Sequence, residues 1–124
     1  MVKERRIQLS LKFEISHKGE VAVLSLEGKI ISLQNVEELK EFVEANFLFN
    51  SDLILDLENL IYLNSTGINF FVRLFTKTRN NGKEMYISNM KGTVRNLFEI
   101  TKLDKVFSIS DSVEQAVEQL KVGK

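Results

Sequence analysis

Residues Asp52 to Gly67, DLILDLENLIYLNSTG, combine the pattern of a buried strand with the start of a helix. The run from Leu53 to Leu57 is short and nearly continuously apolar, which is typical of a strand covered on both faces. The segment ends in four small residues, NSTG at positions 64–67, directly before an apolar pattern with helical spacing. We therefore predict a strand that leads into a helix N-terminus with two hydroxyl side chains, unpaired backbone N–H groups and the positive end of the helix dipole.

Length and composition predict one globular domain, residues 1–124, with its core at about residues 7–120. The 17 basic and 17 acidic residues cancel, whereas nucleic-acid binders normally carry net positive charge or a basic stripe. The chain has no cysteine and one histidine, His17, which excludes disulfides, thiolate catalysis and clusters of Cys or His ligands around a metal. We expect no metal and no cofactor.

Neither a membrane span nor a signal peptide is predicted. No apolar run approaches the ~20 residues that a spanning helix needs. The first six residues, MVKERR, lack the apolar segment of a signal peptide. The sequence therefore predicts a cytoplasmic protein, in which residues 1–6 form a charged, solvated tail.

Strand and helix patterns follow one another in the order β-β-α-β-α-β-α-β-α. Alternating apolar and polar residues at 7–15 predict a half-buried strand, and residues 21–26 predict a second strand that completes an opening hairpin and ends at Gly28. Ser32 or Asn35 is expected to cap the first helix. Strands that alternate with helices favour an α/β fold with a mixed, mostly parallel sheet and about four helices.

The helix after residue 64 is predicted to run from about Ser65 to Asn80. Phe70 and Leu74 lie off its predicted buried stripe, so that either a neighbouring element covers them or they form a partner surface. The stripe itself has the spacing i, i+3, i+4, i+7 and consists of Ile68, Phe71, Val72 and Phe75.

Catalysis is not predicted. A serine nucleophile needs a base and an orienting group, and His17 lies in a predicted turn with no motif that links it to Ser65. The nucleophile-elbow pattern, the dinucleotide-binding glycine pattern and the Walker phosphate loop are absent.

Ser65 is a better candidate for a modification site. A phosphoryl group would add about −1.5 to −2 charges at neutral pH, and the N-terminus of a helix favours negative charge. A partner that docks over a neutral serine would then meet a dianion, so that phosphorylation would release the partner. The alternative is that Asn64 or Ser65 is simply the N-cap of the helix.

Several short segments, taken in their order and spacing along the sequence, closely resemble the STAS domain of bacterial anti-sigma factor antagonists. The strand LILDL at 53–57 is followed by LIYL at 60–63 and then by NSTG at 64–67, where the family pattern reads Asp-Ser-Ser/Thr/Ala-Gly. The resemblance runs from about Ile7 to Leu120. It includes VLSLEG at 23–28, NGKEM at 81–85, VRNLF at 94–98 and LDKVF at 103–107.

The resemblance implies a partner switch. Unphosphorylated family members bind an anti-sigma factor, itself a serine kinase, and thereby free the sigma factor. The kinase uses ATP to phosphorylate the serine after the motif's Asp, and a serine phosphatase restores the antagonist. By motif position this serine is Ser65, with Thr66 as the secondary candidate and Asn64 and Gly67 as the surroundings of the phosphosite. Two departures from the family are Asn64 in place of the Asp and a non-acidic segment KIIS at 29–32. Asn64 would alter kinase recognition or leave Ser65 unmodified, and both departures keep a member that binds constitutively as an alternative to the switch.

Two other functions are weighed beside the switch. The first is a non-phosphorylated STAS interaction module of a stress-sensing or transport complex. The partner surface, in either case, is predicted at Ser32, Phe70 and Leu74. The second is a small-ligand or nucleotide site at the same helix N-terminus. The sequence does not predict the oligomeric state.

Overall fold

A mixed sheet with four α-helices forms the structure, a computed structural model that describes residues 4–7 and 10–122. This architecture confirms the predicted α/β fold with an opening hairpin. The strands follow one another across the sheet in sequence order, antiparallel over the first three and parallel over the rest. The elements are β1 (Glu4–Ile7), β2 (Leu11–Lys18), β3 (Val21–Ile30), α1 (Leu33–Asn46), β4 (Leu53–Leu63), α2 (Ser65–Asn80), β5 (Met85–Ser88), α3 (Gly92–Ile100), a short 3₁₀ helix (Leu103–Lys105), β6 (Ser108–Ser110) and α4 (Val113–Val122).

The N-terminal region differs from the prediction. The single strand expected at residues 7–15 is two strands, because β1 ends at Ile7 and β2 begins at Leu11. The two pair in antiparallel fashion, with Glu4 opposite Ile15. Residues 4–6 therefore belong to the sheet, where a solvated tail was predicted, whereas residues 1–3 lie outside the described part of the chain. A charged segment can add to the open edge of β2 because pairing at an edge uses backbone groups.

The parallel strands are buried on both faces. In one face, Leu24, Leu55 and Ile87 lie side by side in register and pack in the main core with α1, α2 and α3. Successive residues of a strand point to opposite faces, so the neighbouring row of Val23, Ile54 and Tyr86 faces the other way. There it packs against α4 through Val113, Ala116 and Leu120. Both cores therefore share the central strand β4.

β4 is longer than predicted. It continues through residues 58–63, which the sequence pattern assigned to a loop, because β3 also continues past Gly28 and supplies partners as far as Ile30 opposite Leu63. Register shifts between Ser25 and Glu27 and between Gly28 and Lys29 accommodate this extension. Within this extension Leu60 and Leu63 are buried, whereas Tyr62 is 42% exposed.

Gly28 makes the extension of β3 possible. Its φ of +107° lies in a region that favours glycine. A Cβ placed on it would lie 2.3 Å from the carbonyl oxygen of Ser10. The same carbonyl accepts a hydrogen bond of 2.9 Å from Lys29 N, so the backbone of β3 is in direct contact with the backbone at Ser10.

The predicted boundaries of α2 are confirmed, but its buried face is wider than predicted. Phe70 and Leu74, which were expected to lie off the core face, are only 5% and 4% exposed. They face α1, where Val43 borders the same small cavity. Of the two alternatives for Phe70 and Leu74, cover by a neighbouring element is confirmed, and the two side chains do not form an exposed patch. The predicted stripe corresponds to the contact of α2 with the sheet. Because α1 packs alongside α2, a further row of α2 side chains is buried between the two helices.

The structure defines the ends of three further elements. The last strand begins at Ser108, after Val106, whose side chain is 53% exposed. The N-cap of α1 is Ser32, one of the two residues proposed for that role, and Asn35 completes its capping box. At the start of α4, Ser112 Oγ accepts a hydrogen bond from Gln115 N.

None of the helices in the described part of the chain combines the length and the apolarity that crossing a lipid bilayer requires.

We predict that Gly28→Ala lowers the free energy of unfolding by roughly 3 kcal/mol, because the added methyl group meets the Ser10 carbonyl and the backbone is held at positive φ. Urea denaturation monitored by circular dichroism measures the change. The matched control is Gly82→Ala, since Gly82 also has positive φ, +76°, but has open space around it. The control should lose only about 1 kcal/mol. Equal losses in the two variants would contradict the steric explanation.

Candidate functional site

The N-termini of α1 and α2 lie beside each other at the carboxyl ends of β3 and β4. Ile30 and Leu63 are in register at the ends of these two strands. One residue later, Asn64 N donates a hydrogen bond of 3.1 Å to the carbonyl oxygen of Ile30. This bond ties the entry of α2 to the end of β3. The exposed backbone N–H groups of two helices therefore share one edge of the sheet.

Asn64 is the N-cap of α2. Its Oδ1 accepts hydrogen bonds from Thr66 N at 3.1 Å and from Gly67 N at 3.3 Å. The Thr66 hydroxyl donates to the same oxygen at 2.5 Å. The capping role that the sequence left open between Asn64 and Ser65 thus belongs to Asn64.

Ser65 is the first residue of the helix and its side chain is exposed. Within residues 10–122, its hydroxyl forms no hydrogen bond to the protein, in contrast to the hydroxyl of Thr66. The two hydroxyls that the sequence placed together are therefore not equivalent. One is held by the cap, and the other is free to react with a group brought from outside.

Gly67 allows α2 to approach the sheet closely. A Cβ on this residue would lie 3.0 Å from Ile30 Cγ2 and 3.2 Å from Leu63 Cβ, which is tighter than nearly all real contacts of this kind. The glycine therefore fits the first turn of α2 against the ends of β3 and β4. Its contribution to the site is steric, since it brings Ser65 close to the segment that follows Ile30.

Asn35 is a functional candidate that the sequence pattern did not single out, although it was considered as a helix cap. It is buried, with 6% exposure, and its Oδ1 accepts from Ile31 N at 2.9 Å and from Ser32 N at 3.2 Å. Its Nδ2 donates to Ser10 Oγ at 3.1 Å. Ser32 Oγ in turn accepts from Asn35 N at 3.1 Å. Capping therefore holds the half-buried Ser32 in place. The sequence pattern Ser-x-x-Asn was the signal from which this cap could have been predicted.

Exposed apolar side chains surround this edge of the sheet. Ile31 is 49% exposed and directly follows the residue that binds Asn64, while Leu33, at the start of α1, is 62% exposed. Tyr62, opposite Lys29 on the neighbouring strand, adds an aromatic ring at 42% exposure. Exposed large apolar side chains that lie close together are typical of protein–protein contact surfaces. The first turn of α2 carries no acidic residue, so no carboxylate of that turn opposes a negative charge on Ser65.

The chain is similar to known proteins in both sequence and structure. Residues 12–116 match the family model described as the STAS domain. An anti-sigma-B factor antagonist of Staphylococcus aureus is 35% identical over 63 residues, which cover 51% of this chain and 58% of the relative. The aligned segment thus spans little more than half the length of that relative.

Two solved structures share the fold. The anti-sigma factor antagonist from Mycobacterium paratuberculosis superimposes with a TM-score of 0.79 and 19% identity, covering 90% of this chain and 95% of that one. The anti-sigma factor antagonist SpoIIAA in its unphosphorylated form gives a TM-score of 0.70 with 18% identity, covering 88% and 96%. At these identities the similarity concerns the fold alone.

We predict that Asn64→Ala lowers the free energy of unfolding by about 1 kcal/mol, because Thr66 N and Gly67 N lose their shared acceptor. Asn64→Asp is the matched control. It keeps an oxygen at the same place and adds a charge that the helix dipole favours, so its stability at neutral pH should equal or exceed that of the parent. Urea denaturation measures both variants, and an equal loss in both would refute the capping role.

Proposed function

The chain belongs to the STAS domain family, and from that premise we propose that it is an anti-sigma factor antagonist, which acts in the cytoplasm by binding an anti-sigma factor and so freeing a sigma factor. The name of the Staphylococcus aureus relative and the fold shared with two antagonists support this proposal. The surface around Ser65, with Ile31, Leu33 and Tyr62 exposed, is suited to a protein partner.

The second part of the proposal is that the anti-sigma factor is a serine kinase and that Ser65 is its substrate. The observation that carries this assignment is the difference between two adjacent hydroxyls. Ser65 Oγ is exposed and unbound within the described residues, whereas Thr66 Oγ1 donates to Asn64. In the transfer, Ser65 Oγ loses its proton and forms a bond to the γ-phosphorus of ATP while the bond to ADP breaks. Hydrolysis by a serine phosphatase would restore the free hydroxyl.

The helix N-terminus accommodates the product. A phosphoryl group at the first helical position gains from the positive end of the α2 dipole and from backbone N–H groups nearby. Asn64 adds no negative charge there, since its side chain is a neutral amide and its oxygen is occupied by the cap. The domain would therefore stay folded when it is phosphorylated.

Phosphorylation of Ser65 would release the partner, because binding would remove water from the charged phosphate. Ser65 and Ile31 directly follow the two residues that are joined by the hydrogen bond from Asn64 N to the carbonyl oxygen of Ile30. A partner that covers the apolar side chains would have to bury the phosphate dianion without a matching cation, which is costly. The same contact formed over a neutral hydroxyl carries no such cost.

Binding without phosphorylation is the competing function. It was expected to use Phe70 and Leu74, but both side chains are buried and cannot form an exposed patch. Both functions therefore make use of the apolar surface beside Ser65, and they differ only in whether Ser65 is modified. Direct detection of the phosphate separates them.

We predict that incubation with the cognate anti-sigma factor kinase and ATP adds one phosphoryl group to the chain, seen by intact-mass spectrometry. Ser65→Ala should remain unmodified, while the control Thr66→Ala should still accept one phosphate. A phosphate retained by Ser65→Ala, or none on the parent chain, would reject Ser65 as the substrate.

We also predict that the double variant Ile31→Ser/Leu33→Ser binds the anti-sigma factor roughly tenfold more weakly or worse, because two apolar contacts of the docking surface are lost. Titration calorimetry measures the affinity. The control Ile100→Ser removes a more exposed apolar residue, 79% exposed, from the C-terminal end of α3. It should bind as the parent does, and equal weakening in both variants would contradict the proposed location of the surface.

A further inference from the structure

A second candidate binding site lies between α1 and α2, well away from Ser65. A cavity of about 220 Å³ opens there to solvent. Its floor is apolar and consists of Val43, Phe49, Phe70 and Leu74. Phe70 and Lys77 lie five and twelve residues beyond Ser65, which at 1.5 Å per residue is about 8 and 18 Å along the helix axis. A partner bound over Ser65 need not cover this cavity.

The rim of the cavity is basic. Lys40, Arg73 and Lys77 are exposed around it, with Glu44 as the one carboxylate in the lining. Within residues 10–122, none of the three cations takes part in an ion pair. The chain as a whole is neutral, so this local excess of positive charge is a property of the site.

The positive charge is concentrated there by the placement of residues in both helices. α2 contains no acidic residue at all, and Arg73 and Lys77 follow one another at i, i+4 on the same face. α1 carries four glutamates and a single lysine, and that lysine, Lys40, lies on the rim while three of the glutamates do not. The three cations of the rim therefore outnumber the single carboxylate of the lining, Glu44.

Phe49 shapes the floor at a conformational cost. Its φ of +57° is unusual for a bulky residue, and strain of this kind costs about 1–3 kcal/mol. The ring is nonetheless held in place, 4.6 Å from the ring of Phe47 and 4.5 Å below Lys77 Nζ. The cation and the aromatic floor are thereby fixed together at one point of the cavity.

We propose that this cavity binds an acidic segment of a partner protein that inserts one apolar side chain. The volume suits a single large side chain and not an extended ligand, since drug-sized sites usually exceed about 300 Å³. An apolar anchor in a small pocket with charged groups around it is a common form of hot spot. The net positive charge of the rim, three cations against Glu44, selects carboxylates beside that anchor and sets the sign of the partner's charge. Ser65 is not among the residues that line this cavity.

The test uses the full chain and an acetylated, amidated hexapeptide with four glutamates around a central Leu-Phe pair. Two-dimensional ¹H–¹⁵N spectra at low ionic strength should show saturable shifts at Val43, Glu44, Arg73 and Leu74. The same peptide with Ser-Ser at its centre should bind at least about tenfold more weakly. High salt should weaken binding of the first peptide.

Charge-reversal variants provide the control. Arg73→Glu/Lys77→Glu should abolish the shifts, while Lys91→Glu/Lys105→Glu, with the same change in net charge elsewhere, should retain them; the spectra also report whether each variant is folded. No saturable shift in the parent chain, equal binding of the two peptides, or equal loss in both charge variants would overturn the proposal. So would a concentration-dependent dimer, seen by sedimentation, that Arg73→Glu/Lys77→Glu dissociates, because the cavity would then hold a second copy of this chain.

Discussion

The pairing of the last four residues of β3 with the end of β4 is the interaction on which the site depends. These segments are in register from Glu27 opposite Asn59 to Ile30 opposite Leu63. Since α1 follows one strand and α2 the other, the length of this ladder sets where both helices begin. Asn64 N, bonded to Ile30 O, is the next step of the same ladder. If the strands had ended at Gly28 and Leu57, as the sequence pattern indicates, the two helix N-termini would not be held at one edge.

Two glycines make that ladder possible for different reasons. Gly28 permits a backbone at positive φ that passes the Ser10 carbonyl, while Gly67 permits the first turn of α2 to contact Ile30 and Leu63. Neither residue takes part in chemistry. Their effect is to bring a helix terminus, a free hydroxyl and exposed apolar side chains within one surface. This is how packing of the backbone determines what a partner protein can contact.

The cap of α2 places two neighbouring hydroxyls in different environments. Asn64 Oδ1 accepts from two backbone N–H groups and from the Thr66 hydroxyl, which leaves Ser65 as the accessible group. An amide oxygen performs this capping as well as a carboxylate does. The difference between Asn and Asp therefore concerns the charge beside Ser65 more than the stability of the helix.

Local patterns in the sequence determined the element order, the limits of α2 at Ser65 and Asn80, and the position of Ser65 at a helix N-terminus. Helix caps and hydrophobic periodicity act over a few residues, so they can be read from the chain alone. Only the tertiary structure decided the extension of β4, the strand at Glu4–Ile7, and the burial of Phe70 and Leu74. The strand at Glu4–Ile7 depends on the neighbouring strand β2, whereas the extension of β4 and the burial of Phe70 and Leu74 depend on β3 and α1, which are distant in sequence. Whether a backbone edge or a side chain is covered depends on what packs against it, and no window of neighbouring residues contains that information.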